Sequence, residues 1–252
     1  MNKNYLQQKH PSYLATSSTA ASPETNHSPL TIHYSPKRKF AFTLAEVLIT
    51  LGIIGIVAAL TLPNLIVNYQ KQATANKVKK FYTNFSQAIR QAEVDNGEFK
   101  NWDVKSADEL YDNYLAPYLK VIHVQRDVHV FGNFIQGIKF IFPDGTQAIC
   151  NYKTNLPVYG NHKNLFPCIF FTRGVGKWTD NGYRQEYKYK GTREIFWFLI
   201  NQNGQLVPPH TEQTREYNIK SCKTMSDQGN GFYDCGTLLY KDGWQIKDDY
   251  PW

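Results

Sequence analysis

Residues 37–67 read KRKFAFTLAEVLITLGIIGIVAALTLPNLIV, and the change of polarity along this stretch decides the architecture. Three basic residues, Lys37, Arg38 and Lys39, precede an apolar run from Phe40 to Val67 whose only charge is Glu46. The next charged side chain is Lys71. Such a run exceeds the roughly 20 residues that carry a helix across the hydrocarbon core of a bilayer. Basic residues on its N-terminal side predict that this end stays cytoplasmic and that the C-terminal bulk lies across the membrane.

Composition agrees with a single greasy segment. The chain is 42% hydrophobic, yet its mean hydropathy is −0.49, so the apolar residues are concentrated rather than spread. Residues 1–36 are polar, rich in Ser, Thr, Pro, Asn and His, and without helical or strand periodicity. They carry too little apolar area to offset ordering entropy, which predicts a disordered leader. Of the net charge of +7, more than half lies in residues 1–41, where Lys3, Lys9, Lys37, Arg38 and Lys39 face Glu24 alone. The small excess that remains is scattered among acids, so no specific nucleic-acid surface is expected.

Beyond Lys71 the pattern changes. Val78, Phe81, Tyr82, Phe85, Ile89 and Ala92 recur at three- and four-residue spacing, with Lys77, Lys79, Lys80, Asn84 and Arg90 between them, the signature of an amphipathic helix. No proline falls between Asn64 and Asn96, and Asn96-Gly97 is a natural stop, so one helix is expected from about Phe42 to Asn96. A short helix is expected over Ser106 to Lys120, ended or kinked by Pro117. The remainder reads as strands and turns. Ile138 to Phe142 and Thr146 to Asn151 flank Pro143-Asp144-Gly145, and Glu194 to Ile200 and Gln205 to Val207 flank Asn203-Gly204, two hairpin signals. Phe170, Phe171, Phe196, Trp197 and Phe198 are read as core and cross-strand residues rather than a sugar-binding platform. The fold class is therefore α+β: a long N-terminal helix, apolar in its first half and amphipathic in its second, packed on a C-terminal antiparallel sheet. Its expected divisions are a leader (1–41), a transmembrane helix (42–67), the amphipathic half of that helix (68–97) and a globular head (98–252).

Four cysteines, Cys150, Cys168, Cys222 and Cys235, all follow the apolar run, and none forms a C-x-x-C pair or a Cys/His cluster of zinc-ligand spacing. No metal or other cofactor is expected. An even count in a segment outside the cytoplasm fits disulfides. Sequence order favours Cys150 with Cys168 and Cys222 with Cys235, among three possible connectivities. The chain carries no G-x-S-x-G, H-E-x-x-H, Walker or G-x-G-x-x-G motif, and no enzyme is read from it. His123, His129, His162 and His210 lie among polar residues and are read as surface histidines.

The boundary KRKFA-FTLAEVLITLGIIGIVAALTLPNLI resembles the class III signal of type IV pilins and type II secretion pseudopilins. The resemblance implies cleavage by a prepilin peptidase between Ala41 and Phe42, followed by N-methylation of Phe42. Glu46 then falls at the fifth position of the mature chain, and Pro63 at the position where many members carry a helix-bending proline. Ala41 stands where glycine is commoner, Ala45 replaces a bulkier residue, and a leader of 41 residues is longer than usual. The family's glutamate pairs with the N-terminal amine of a neighbouring subunit, turning two costly charges into one compensated pair. A purely local role for Glu46 at the helix N-terminus is worth only about 0.3 to 1 kcal/mol, against an insertion cost for a charge of about 2.5 to 3.5 kcal/mol. Gly52 and Gly55 permit close approach of neighbouring helices. Pro63 removes one backbone hydrogen bond and is expected to bend or loosen the helix. Cys222 and Cys235 bracket a Gly/Asp/Asn-rich loop, like the disulfide-closed C-terminal loop of many pilins.

What the resemblance implies overall is a structural filament subunit of a type II secretion pseudopilus or a type IV pilus. Its partners would be the prepilin peptidase, homologous pilin or pseudopilin subunits and an inner-membrane assembly platform. It would sit in the inner membrane as a single-pass protein with its C-terminal domain in the periplasm, or at the cell surface when assembled. The competing expectation is a periplasmic binding or enzymatic domain exported by an ordinary secretory signal, with cleavage near Ala58-Ala59.

Overall fold

A computed structural model describes residues 42–130, 135–155, 163–174, 192–228 and 233–252. The leader with Ala41, and also His162, lie outside these residues. The chain divides into a unit that ends at Thr50 and a unit from Leu51 to Trp252. Helix α1 (Leu44–Asn96) belongs to both, and Pro63 lies inside it. It stops at Asn96, where the Asn96 side chain donates to the Ala92 carbonyl at 2.9 Å.

In the second unit, α1 buries Ala75, Val78, Phe81, Phe85, Ala88, Ile89 and Ala92, the face the periodicity predicts. That face meets a seven-stranded sheet: β1 (His123–Val130), β2 (Ile135–Ile141), β3 (Gln147–Cys150), β4 (Lys153–Asn155), β5 (Lys163–Phe171), β6 (Ile195–Ile200) and β7 (Leu206–Val207). The spatial order is β1-β2-β3-β5-β6-β7, with β4 also paired to β5, and every pairing is antiparallel. Register places Phe140, Ala148, Phe170 and Phe196 in one row and Ile138, Cys150, Cys168 and Phe198 in the next. Ala148 of β3 thus lies between two phenylalanines, Phe140 on β2 and Phe170 on β5, and both of these meet aromatic rings of α1. Phe81 stacks on Phe170 with centroids 4.5 Å apart, and Phe85 meets Phe140 edge-on at 6.1 Å. Burying an aromatic side chain of this kind contributes roughly 1.5 to 3 kcal/mol. Lys77 donates to the Thr172 carbonyl at 3.0 Å, and Lys80 pairs with Asp144 at 2.8 Å.

Both expected hairpins form. In the first, Asp144 accepts from the Thr146 amide and hydroxyl at 3.1 and 2.6 Å. In the second, the Asn201 side-chain oxygen accepts from the amides of Asn203 and Gln205, both at 3.0 Å, closing an Asx-type turn. Edge strand β1 carries a bulge between Gln125 and Val128, with Asp127 at φ 52°. Opposite Val128 lies Gly137, where a Cβ would fall 2.1 Å from the Cys150 carbonyl oxygen, so β2 and β3 approach there only because the side chain is absent.

Three sequence expectations need correction. The helix expected over Ser106 to Lys120 is α-helical only as α2 (Ala107–Leu110), then continues as a five-residue π-turn, Tyr111–Leu115. Ser106 caps its start by accepting from the Glu109 amide at 3.0 Å, while Arg126 from β1 reaches Asp108 and Asp112 at 2.6 and 2.8 Å. The second correction concerns the C-terminal region, read as strands and turns. It contains α3 (Arg215–Gln228) and α4 (Tyr233–Lys241). Their sequences hid this: α3 has few apolar residues, and α4 contains Gly236. Gly236 packs closely on β6: a Cβ there would lie 3.2 Å from the Trp197 carbonyl oxygen, a tight contact. Third, His210 is not a free surface residue, since its ring meets the buried Asp234 carboxylate at 2.7 Å.

Both favoured disulfides are present. Cys150–Cys168 joins directly opposite residues of β3 and β5, whose Cα atoms are 4.1 Å apart. Cys222–Cys235 ties α3 to α4. The same helices are bound by charge. Arg215 forms two-toothed pairs with Asp242 and Asp249 at 2.7 to 2.8 Å, and Lys247 reaches Asp242 at 2.8 Å. The final residues then dock: buried Tyr250 donates to the Thr192 carbonyl at 2.7 Å, and burial pushes its phenol up.

Burial pushes the Asp242 carboxyl up, but the hydrogen bonds from Arg215 and Lys247 outweigh it and hold the group below its ordinary value. Asp249 is lowered chiefly by Arg215. Carboxyls depressed in the folded state stabilise it fully above the unfolded value of about 3.9. That stability is lost as pH falls through the lower folded values. Melting temperature should therefore drop between about pH 5 and about pH 2. Asp242→Asn should cost about 3 kcal/mol at neutral pH and flatten the acid slope in thermal melts. Cys222→Ser should cost about 3 kcal/mol, read as earlier cleavage in timed proteolysis.

Candidate functional site

The N-terminal unit holds the start of α1, where Thr43 and Glu46 make a reciprocal cap. The Thr43 amide and hydroxyl donate to Glu46 Oε2 at 2.8 and 2.9 Å, and the Glu46 amide donates to Thr43 Oγ1 at 3.2 Å. This is a capping box, which satisfies donors that the first turn of a helix leaves without partners. Its signal, a Thr three residues before a Glu, is present in the sequence as Thr43 and Glu46. Both intrachain donors to the carboxylate use the same oxygen. Among the described residues, none donates to Oε1. Phe42, next to the cap, is 84% exposed, so a terminus created there would be open.

After Glu46, none of the apolar window of α1 is buried inside the chain. Leu48, Ile49, Leu51, Ile53, Ile54, Ile56, Val57 and Leu60 all face outward. The helix is long and apolar enough to cross a membrane. Its hydroxyls are satisfied within it: Thr50 donates to the Val47 carbonyl and Thr61 to the Val57 carbonyl, both at 2.9 Å. Internal satisfaction of this kind is what a lipid surrounding demands.

At Gly52 and Gly55, an added Cβ would meet nothing within 4 Å. Packing within the chain therefore does not account for the missing side chains. Glu46, Gly52, Gly55 and Pro63 all lie in α1, and Phe42 lies two residues before its start. The four cysteines stand apart from them, paired in the second unit. Among the described residues no group of three or more His, Cys, Asp or Glu side chains is arranged to hold a metal ion.

With this geometry in view, two family models match the chain. Residues 36–62 match the prokaryotic N-terminal methylation motif, the type IV pilin and pseudopilin signature. Residues 64–252 match a family of unknown function, DUF6613. No curated protein and no solved structure matches the chain. The methylation motif supports a type IV pilin-like or pseudopilin subunit, structural rather than enzymatic, and implies processing by a prepilin peptidase and assembly with other pilin subunits. The single long apolar helix fits a membrane anchor of that kind. Most of its length lies within the second match, and the chain belongs to the DUF6613 family, carrying at its N-terminus a prepilin-type methylation motif.

Proposed function

We propose that this chain is a filament subunit of a type II secretion pseudopilus or a type IV pilus-like system, made as a precursor and assembled through its N-terminal helix. In this reading residues 1–41 are the leader, 42–67 the inner-membrane span and later filament core, 68–97 the amphipathic half of the helix, and 98–252 a head exposed to the periplasm. A prepilin peptidase cuts between Ala41 and Phe42 and methylates the new amine.

The observation that carries this reading is the setting of Glu46. It is the only charge from Phe40 to Tyr69, and its Oε1 receives no donor among the described residues while Oε2 is held by Thr43. Leaving a carboxylate in a lipid-facing run is expensive unless a cation compensates it. An N-terminal ammonium from a neighbouring subunit supplies that cation at Oε1 without disturbing the cap. The capping box thus supports recruitment by holding the carboxylate at the end of the helix before the partner arrives.

Gly52 and Gly55, whose missing side chains no intrachain contact explains, would let the neighbouring helix approach closely. Pro63 interrupts the hydrogen-bond ladder where a subunit leaving the membrane would need the helix to yield. Delivery to an inner-membrane assembly platform completes the reading.

Mass spectrometry of the protein from cells with an active processing peptidase should give a mature chain starting at N-methylated Phe42. A terminus near Leu60, or an intact leader, would overturn the proposal. Glu46→Ala should still be processed but enter filaments about tenfold less, a loss of roughly 1.4 kcal/mol of recruitment, measured by shearing and immunoblotting. Unchanged assembly of that variant would refute the pairing.

A further inference from the structure

The apolar run is flanked by basic residues at both ends. Past Val67 come Lys71, Lys77, Lys79 and Lys80, and α1 carries no acid between Glu46 and Glu93. Membrane proteins ordinarily keep lysine and arginine on the cytoplasmic side of a span. With residues 42–67 read as the membrane span, as proposed above, these lysines stand on the opposite side, where the head lies, and that bias does not account for them.

Because α1 is one helix from Leu44 to Asn96, its rise of about 1.5 Å per residue sets the depth of each side chain. The stretch that follows Glu46 and ends at Val67 is roughly 30 Å long, which matches the thickness of a hydrocarbon core. Lys71 then falls about 6 Å beyond that core, inside a headgroup layer about 5 to 7 Å deep. Tyr69 is 72% exposed and lies in the same layer, where tyrosine is enriched. Lys77 and Lys79 follow at about 15 and 18 Å, roughly one Debye length beyond the headgroups at about 0.1 M salt. The head begins at this level, since the first buried residue of α1 is Ala75.

Two cations here are already compensated: Lys80 by Asp144 at 2.8 Å, and Arg173, next to Thr172, by Glu194 at 2.9 Å. Lys71, Lys77 and Lys79 are not, and among the described residues none of the three pairs with a carboxylate. Lys77 donates to the Thr172 carbonyl at 3.0 Å, which fixes its position and leaves its charge. Lys79 is exposed and Lys71 half-buried. The phosphodiester of an anionic lipid carries the missing negative charge, lies at the depth of Lys71, and belongs to the same bilayer that holds the apolar run. From this geometry we infer that Lys71, Lys77 and Lys79 form a basic band that binds the headgroups of anionic phospholipids where α1 leaves the membrane.

The test places the full chain in phosphatidylcholine bilayers and compares spin-labelled phosphatidylglycerol with spin-labelled phosphatidylcholine in the motionally restricted fraction at the protein surface. Lys37, Arg38 and Lys39 are changed to Gln throughout, so that the leader's own basic cluster does not contribute. Phosphatidylglycerol should be enriched about fivefold at low salt, the effect of one lysine near a membrane surface. High salt should abolish the enrichment. Adding Lys71→Gln and Lys79→Gln should remove most of it. Lys100→Gln with Lys105→Gln, past the end of α1 at Asn96 and roughly 45 Å along the helix from Val67, should leave it unchanged. Should the Lys71 and Lys79 double variant fail to fold, the exposed Lys79 is changed alone, with a partial loss expected. A restricted fraction without preference for phosphatidylglycerol, or an equal preference in the two double variants, would overturn the inference and leave the span standing. No restricted fraction at all would overturn the span, and the lipid site with it.

Discussion

The seating of α1 on the inner face of the sheet is the contact on which the head depends. Phe81 and Phe85 pack on Phe170 and Phe140, the large neighbours that flank the small Ala148 on β5 and β2. That arrangement requires correct register in three successive strand pairings, since a slip of one residue would turn every inward side chain outward. Gly137 permits the close approach of β2 to β3, and the Cys150–Cys168 bond joins β3 to β5 within one of the rows.

The C-terminal helices follow a different principle. Helix α3 has little apolar surface of its own and is held by what it is tied to: Cys222 to Cys235, and Arg215 to Asp242 and Asp249. Around it lies a polar knot in which His210 meets Asp234, Thr237 donates to the Pro209 carbonyl, and Asn218 donates to the His210 carbonyl. Covalent and charged links stand in for the apolar stripe that ordinarily fastens a helix to a core. These links also bring the last residues back beside the start of β6.

At the other end of the chain the demands reverse. The apolar window of α1 is not buried by the described residues, so its stability as a helix rests on internal hydrogen bonds and on whatever surrounds it. One cap, made by Thr43 and Glu46, begins that helix and at the same time leaves a carboxylate oxygen without a donor among the described residues. A helix-capping device and an assembly device can thus share one residue, because a carboxylate has two oxygens and the cap uses one.

The methylation signal, the long helix with its apolar and amphipathic halves, both hairpins and the pairing of the cysteines were readable from the residues alone. Each is written locally, in periodicity, turn chemistry or order along the chain. Helices α3 and α4, the π-turn after α2 and the environment of His210 were not. Their existence depends on contacts between residues far apart in sequence. Arg215 finds Asp249, and Gly236 meets the backbone of β6, only in the packed chain. Sequence by itself determined what local periodicity and a continuous apolar run can specify. Tertiary structure alone decided which polar groups were left with partners and which were not, because hydrogen-bond satisfaction is a property of the packed chain and not of any segment of it.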